Sequence, residues 1–239
     1  MTGRLQDRLA VITGASRGIG RAVALGMAAE GAHVILVAKT VGGLEGVDDE
    51  NRTVGGKATL VPMDLTACPA IDRLGATIFE RWGKLDILIA NAGLLGTLTP
   101  LSHMEPKDWD KTLAVNVTAN YRLIRSLEPL LKRSDAGRAV FVTSGAAQKC
   151  KPYWGGYSVT KAALDAMMKT WAAETEKTPI RVNSVSPGPT RTAMRKKAMP
   201  GEDPTTLTKP AELGPLFIEL ALPSCERHGE IVEYQKVKA

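Results

Sequence analysis

A doubly wound α/β fold, a parallel sheet covered by helices on both faces, is predicted by three observations. Seven short runs rich in Val, Ile and Leu recur along the chain at intervals that leave room for a helix between them. Gly, Pro, Asp or Asn bound these runs, as turn residues bound buried strands. The composition agrees: of 239 residues, 44% are hydrophobic, 23% charged and 5% aromatic, the mix of a globular chain and not of a disordered, collagen-like or coiled-coil one. A chain of this length buries most of its apolar surface in one α/β unit, so residues 1–239 are read as a single domain.

Taken in order, strands are expected over 9–13, 33–38, 58–63, 85–90, 139–143, 180–185 and 230–234. Apolar runs with little alternation mark strands buried on both sides. Helices are expected over 18–30, 69–82, 106–133 and 155–176, the last two long and rich in Ala, Leu and Met. The stretch 41–54 is ambiguous, because topology asks for a crossover there while Gly42, Gly43 and Gly46 oppose a helix. There is no internal repeat and no low-complexity tract.

Composition also narrows function. Cys68, Cys150 and Cys225 are odd in number, far apart and outside any CxxC pattern, which argues for a reducing, cytoplasmic setting and against a disulfide framework. His33, His103 and His228 are equally scattered, so no metal is expected. The apolar stretch after Arg4 and Arg8 is broken by Thr13 and Gly14, and no run reaches the roughly 18 residues of a membrane span, so neither a signal peptide nor a membrane helix is expected. The net charge of +6 is mostly dispersed; its densest group, Arg191, Arg195, Lys196 and Lys197, lacks the interleaved aromatics of a nucleic-acid groove, and no nucleic-acid partner is expected.

The first run passes into Thr13-Gly14-Ala15-Ser16-Arg17-Gly18-Ile19-Gly20 and then a helical pattern. Glycines at a strand-to-helix turn allow tight backbone angles, and the free N–H groups and dipole of the helix N-terminus face an anion. This context reads as a dinucleotide phosphate cradle; a turn that merely needs two glycines is the alternative. After the second strand, where a carboxylate would receive an adenosine ribose hydroxyl, the chain has Ala38-Lys39-Thr40. A cation there suits a 2′-phosphate, and Arg17 can reach the same group, so NADP(H) is expected over NAD(H). Solvated surface roles for Lys39 and Arg17 are the alternative.

Further along stand Asp64 after the third strand, Asn91-Ala92-Gly93 after the fourth, Asn116 in the long helix, Ser144 after the fifth strand, Tyr157 and Lys161, and Pro187-Gly188 after the sixth. With the complete Thr-Gly-x3-Gly-x-Gly pattern at 13–20, these residues make the chain resemble the short-chain dehydrogenases/reductases over essentially its whole length. Within that family it is similar to a bacterial subgroup of largely uncharacterised reductases in 91–96, 134–137 and 190–195. The resemblance implies a Rossmann fold with strand order 3-2-1-4-5-6-7. The chain departs from the family near its end, where the usual Thr-Gly and Asp-Gly are replaced in the stretch from His228 to Tyr234.

Tyr-x3-Lys occurs twice, and the pair Tyr234 and Lys238 is set aside because it follows the last strand with no serine 13 residues before it. Tyr157 and Lys161 instead open a long helix, where i and i+4 share a face, and Ser144 lies 13 residues earlier. As the resemblance implies, Tyr157 is the general acid in carbonyl reduction and the base in alcohol oxidation, while Ser144 hydrogen-bonds the substrate oxygen. A phenol near pKa 10 is poorly matched to neutral pH, and Lys161 with the nicotinamide charge would lower it. Lys161 also holds the nicotinamide ribose, and Asn116 orients a water joining Lys161 to solvent. Helix distortion alone for Asn116 and a turn hydroxyl for Ser144 are the alternatives.

Cofactor contacts implied by the resemblance are Gly14, Arg17, Gly18, Ile19 and Gly20 at the pyrophosphate, Asp64 and Leu65 near adenine, Asn91, Ala92 and Gly93 near the ribose, and Thr190 and Thr192 near the carboxamide. Asp64 also has the position of a helix cap. The substrate pocket is expected between the residues after 91–93, the loop 146–154 and a lid at 193–208. Tyr153 and Trp154 suggest an apolar substrate face, or core packing; the basic cluster fits an anionic substrate or acyl carrier, or a solvated lid. The long helices carry more Ala, Met and Leu than one core stripe requires, so a homo-oligomer, dimer or tetramer, is expected. The function expected is an NADP(H)-dependent reductase or dehydrogenase acting on a small-molecule carbonyl or alcohol. The alternatives are a 3-oxoacyl-thioester reductase and, from a different class, a catalytically idle NADP-binding regulatory or interaction protein.

Overall fold

The structure, a computed structural model, describes residues 3–235; Lys238 and the extreme ends of the 1–239 span lie outside the described residues. Strands β1 (Leu9–Thr13), β2 (His33–Ala38), β3 (Lys57–Pro62), β4 (Ile87–Ala90), β5 (Arg138–Val142), β6 (Arg181–Ser186) and β7 (Ile231–Glu233) form one sheet in the order β3-β2-β1-β4-β5-β6-β7. Every neighbouring pair is parallel. The helices are α1 (Gly18–Ala29), α2 (Val41–Thr53), α3 (Cys68–Trp82), α4 (Pro106–Leu113), α5 (Ala119–Leu131), α6 (Ala146–Lys149), α7 (Gly155–Thr175), α8 (Ala193–Ala198) and α9 (Gly214–Ala221). None among the described residues is long and apolar enough to cross a membrane.

The period-2 geometry of a strand explains why the runs are apolar throughout. In β1, Leu9 and Val11 join Phe141, Trp171 and the leucines of α3 and α5 in one core layer. Ala10 and Ile12 join Val23, Met27, Leu44 and Phe217, from α1, α2 and α9, in the other. In β1 both faces are covered, and apolar residues fill both.

Besides the short helices α6 and α8, which lie in the expected loop and lid, three helical segments depart from the sequence reading. The stretch 41–53 is a full helix, held by buried Leu44 and Val47. One of the glycines that argued against it is what seats it: a Cβ on Gly43 would stand 2.9 Å from the Cβ of Ser16, so the bare backbone lets α2 lie against the glycine loop. The expected helix over 106–133 is α4 and α5 joined by a single π turn, Ala114–Thr118, which places Asn116 in its middle. The segment 214–221, not anticipated, is helical and apolar on most sides, with Phe217, Ile218, Leu220 and Ala221 all buried, so it carries no periodic stripe to read.

At the N-terminal ends of the strands two buried charges are fully engaged. Asp86 accepts from the Leu9 N–H, Ser134 Oγ, Lys84 Nζ and Arg8 Nη1 at 2.9, 2.6, 2.9 and 3.1 Å. Arg138 donates to the carbonyls of Leu222, Gly137, Pro179 and Pro223. Trp171, almost fully buried, meets Phe141 edge-on at 6.0 Å and donates its indole N–H to Glu128 at 2.7 Å, fastening α7 to α5.

Candidate active site and cofactor cleft

β1 and β4 are neighbours whose connections leave in opposite directions, and a crevice opens beyond the carboxyl ends of strands at such a switch point. The glycine loop follows β1 and the Asn91-Ala92-Gly93 segment follows β4, so both border it. Gly14, at φ +66°, and Gly20 lie where a Cβ would stand 2.8 and 2.4 Å from Asn91 Nδ2. Asn91 Nδ2 donates to the carbonyls of Thr13 at 2.8 Å and Gly14 at 3.3 Å. The Thr13 hydroxyl accepts the N–H groups of Asn91 and Ala92 at 3.1 and 3.0 Å. Thus Asn91 is spent on clamping the glycine loop, and Thr13, absent from the expected site, is its other half. The loop leads into α1 with Arg17 exposed at the N-cap position, where no side chain caps the helix. Its N–H groups and Arg17 form a donor set matched to a pyrophosphate.

At the adenosine end, Lys39 Nζ pairs with Asp64 Oδ2 at 2.7 Å. Asp64 also accepts from the Thr66 N–H and hydroxyl at 2.9 and 2.8 Å. With Lys39 first and Thr66 next, these bonds bring the Asp64 carboxyl down to about 2. Asp64 therefore orders the turn before α3 as well as holding Lys39. Leu65, next in the chain, is buried in the core.

Tyr157 and Lys161 sit one turn apart on the buried side of α7. Burial pushes the Tyr157 phenol up from its ordinary 10.0, and the Ser144 hydroxyl draws it down. The structure thus brings Ser144 to Tyr157 as the spacing required. Lys161 Nζ donates to the Val142 carbonyl at 2.6 Å and stands 5.7 Å from the Tyr157 ring centroid. Burial lowers its ammonium to about 8, against the upward pull of Asp165. In the chain by itself the group that lowers Tyr157 is Ser144, not Lys161.

Asn116, fully buried, reaches the same place from the π turn. Its Oδ1 accepts the Leu94 N–H at 2.7 Å, and its Nδ2 donates to the Leu94 carbonyl at 2.8 Å and to Thr160 Oγ1 at 3.0 Å. The Asn116 carbonyl accepts from Asn120 Nδ2 at 2.8 Å. A Cβ on Gly93 would lie 3.3 Å from Asn116 Oδ1 and 3.6 Å from Lys161 Nζ, so the segment after β4, the π turn and α7 meet here. Thr160 and Asn120 complete the cluster and were not singled out in the sequence; a polar residue on the buried side of a helix was the only available signal.

After β6, Pro187 and Gly188 turn the chain, and Thr190 Oγ1 closes the turn on their carbonyls at 3.3 Å each. Thr190 bridges Thr208, and the Arg191 N–H donates to Thr208 O at 2.8 Å, so the segment 193–208 is drawn together at its root. Thr192 caps α8 through the Arg195 N–H, and its methyl is 3.4 Å from where Gly18 would carry a Cβ. Within the basic cluster, Arg195 is bound bidentately to Glu202 at 2.6 and 2.5 Å, leaving Arg191, Lys196 and Lys197 as its exposed cations. Trp154 stands edge-on to Tyr157 at 6.1 Å. Tyr153 instead points with Leu101, Val159 and Ala162 into a groove of about 630 Å³ on the other side of α7.

Residues 8–203 match the family model described as short chain dehydrogenase. The uncharacterized oxidoreductase YciK of Escherichia coli K12 is 39% identical over 219 residues, 90% of this chain and 86% of that protein. A provisionally assigned short chain dehydrogenase from Shigella flexneri 2a, solved in complex with NADP, superimposes with a TM-score of 0.93 at 36% identity, covering 98% of this chain and 99% of that one. One from Escherichia coli CFT073, in complex with NADPH, gives 0.91 at 36% identity and 98% of each chain.

Proposed function

The chain belongs to the short-chain dehydrogenase family, and on that premise we propose that it is an NADP(H)-dependent oxidoreductase that interconverts a carbonyl and a secondary alcohol. The observation that carries the reading is the meeting of Ser144, Tyr157 and Lys161 beside the crevice that the glycine loop and the Asn91-Ala92-Gly93 segment border. NADP(H) supplies or receives the hydride. Gly14, Arg17, Gly18, Ile19 and Gly20 would hold its pyrophosphate, Asp64 and Leu65 its adenine end, Asn91, Ala92 and Gly93 its ribose side, and Pro187, Gly188, Thr190 and Thr192 its nicotinamide end. Arg17 and Lys39, with no acid after β2, favour the 2′-phosphate; Asp64 holds one donor of Lys39 and leaves two.

Tyr157 gives its proton to the carbonyl oxygen in reduction and takes it back in oxidation. Ser144 hydrogen-bonds the same oxygen, and Trp154 keeps one side of the phenol apolar. A buried phenol resists ionisation, so a cation nearby is needed to hold the phenolate, and Lys161 is that cation. Asn116 has its amide committed to Leu94 and Thr160, so its task is to keep the backbone after β4 against Lys161. The segment 193–208 covers the substrate as a lid, in a single catalytic unit that works in the cytoplasm with its three cysteines as free thiols. Exposed Tyr121 on α5 and Val159 on α7 support a homo-oligomer through these helices, read by light scattering as a mass above one chain.

The test is oxidation of NADPH, and separately NADH, by the purified protein over a panel of aldehydes, ketones, quinones, sugars and acetoacetyl thioesters. NADPH-linked turnover is expected, and Tyr157→Phe should lose about a thousandfold or more in kcat/KM with its melting temperature unchanged. Full activity in Tyr157→Phe would refute the assignment, and turnover with NADH alone would refute the roles of Arg17 and Lys39.

A further inference from the structure

One turn beyond Lys161 on the same buried stripe of α7 stands Asp165, 9% exposed, to which the reaction above gives no task. Burial pushes its carboxyl up, and the Thr143 hydroxyl draws it down. Asp165 Oδ1 and the Ser184 hydroxyl in β6 are buried with no hydrogen-bond partner. Thr143 sits between Val142, whose carbonyl holds Lys161, and Ser144, which touches Tyr157. A buried carboxylate with an unused oxygen lowers stability, so packing alone would favour an apolar side chain here.

The ionisable groups that act on Asp165 are Lys161 and Lys169, one turn before and one turn after it on its own helix. The strands beneath α7 add hydroxyls and no charge at this level, Thr143 after β5 and Ser184 in β6. Asp165 is therefore the anion facing Lys161 inside the protein, and the two are not joined in a direct ion pair within 4.0 Å. A charge at that remove acts through space and leaves the Lys161 N–H groups free for the Val142 carbonyl and the active site.

Resting on the roles of Tyr157 and Lys161 given above, we infer that Asp165 is a positioning residue for the reaction, whose carboxylate keeps the buried Lys161 ammonium charged. Burial alone draws the Lys161 proton off, and Asp165 opposes it. Removing the carboxylate leaves burial unopposed, so Lys161 loses its proton at lower pH and is partly neutral where the phenolate needs a cation.

The experiment reads Lys161 directly, by the pH dependence of its 13Cε resonance in lysine-labelled protein, assigned by its loss in Lys161→Met. Asp165→Asn should lower the Lys161 midpoint by about one pH unit. Asp165→Ser should do the same, and serves if the Asn variant does not fold. Asp165→Glu, which restores the charge, should return the midpoint to within a few tenths of a unit of the wild-type value. A midpoint moved by less than half a unit in the folded neutral variant overturns the inference and leaves Asp165 a packing residue. Because the titration needs no substrate, a failed search for turnover would undo the catalytic reading and leave this result standing.

Discussion

At the N-terminal ends of the strands, Asp86 is fully buried and accepts four hydrogen bonds; toward the C-terminal ends, Asp165 and Ser184 bury polar atoms that have none. The same strands run between the two. At one end burial would raise Asp86, but the bonds from Ser134, Leu9 and Lys84 hold it below the ordinary carboxylate value. At the other, burial prevails and pushes Tyr157 up, Lys161 down and Asp165 up. Saturated networks rigidify, whereas unsaturated ones cost stability and leave groups whose protonation is easily moved. The Asp86 network holds the sheet together; Asp165 and Ser184 keep polar atoms uncommitted.

The largest effect expected of this comparison is on Asp86. Asp86→Ala leaves Arg8 and Lys84 facing a buried gap and should cost about 3–5 kcal/mol, read by urea unfolding. A loss below about 1 kcal/mol would erase the contrast. The same group sets an acid limb. Its folded value lies below the ordinary 3.8, so its contribution is complete above the unfolded value and disappears as pH falls through the folded one; Asp86→Asn should flatten stability between about pH 5 and pH 2. Next, Lys39→Ala at the C-terminal ends of the strands should lower the NADPH over NADH preference about tenfold in kcat/KM with no change in melting temperature, since the chain gives Lys39 a surface ion pair only. The smallest effect is also the sharpest. Ser184→Ala removes a hydroxyl with no partner and should raise stability by up to about 1 kcal/mol, where the same deletion at Ser134 should lower it. Destabilisation by Ser184→Ala would mean that the hydroxyl is paired in solution.

The sequence made the sheet legible because strands buried on both faces, such as Leu9–Thr13 and His33–Ala38, need apolar residues throughout. The glycine loop was legible because Gly14 and Gly20 fill places that no side chain can occupy. Tyr157 and Lys161 were legible from the helix period, and Ser144 from its place after β5. What escaped lies in tertiary relations. Nothing local in Val41–Thr53 discloses that Gly43 rests on Ser16, and Asn91, read as a ribose contact, shows its amide on Thr13 and Gly14 only once β1 and β4 are paired. Arg195 looked like one cation among four until Glu202 folded back on it. Asp165 looked like any acid on a helix, because its burial depends on two strands far away in the chain.

The π turn at Ala114–Thr118 sets the rotational phase of everything after it. An α-helix advances about 100° per residue, and a π turn absorbs one residue more than a regular turn would. Leu123, Leu127 and Leu130 face the core only with that offset in place. Winding the same residues as regular α-helix would swing the leucine face of α5 by about 100°, off the sheet. The irregularity that presents Asn116 to Leu94 is thus also what keeps α5 in register: the turn takes up one extra residue and leaves the leucine face on the core.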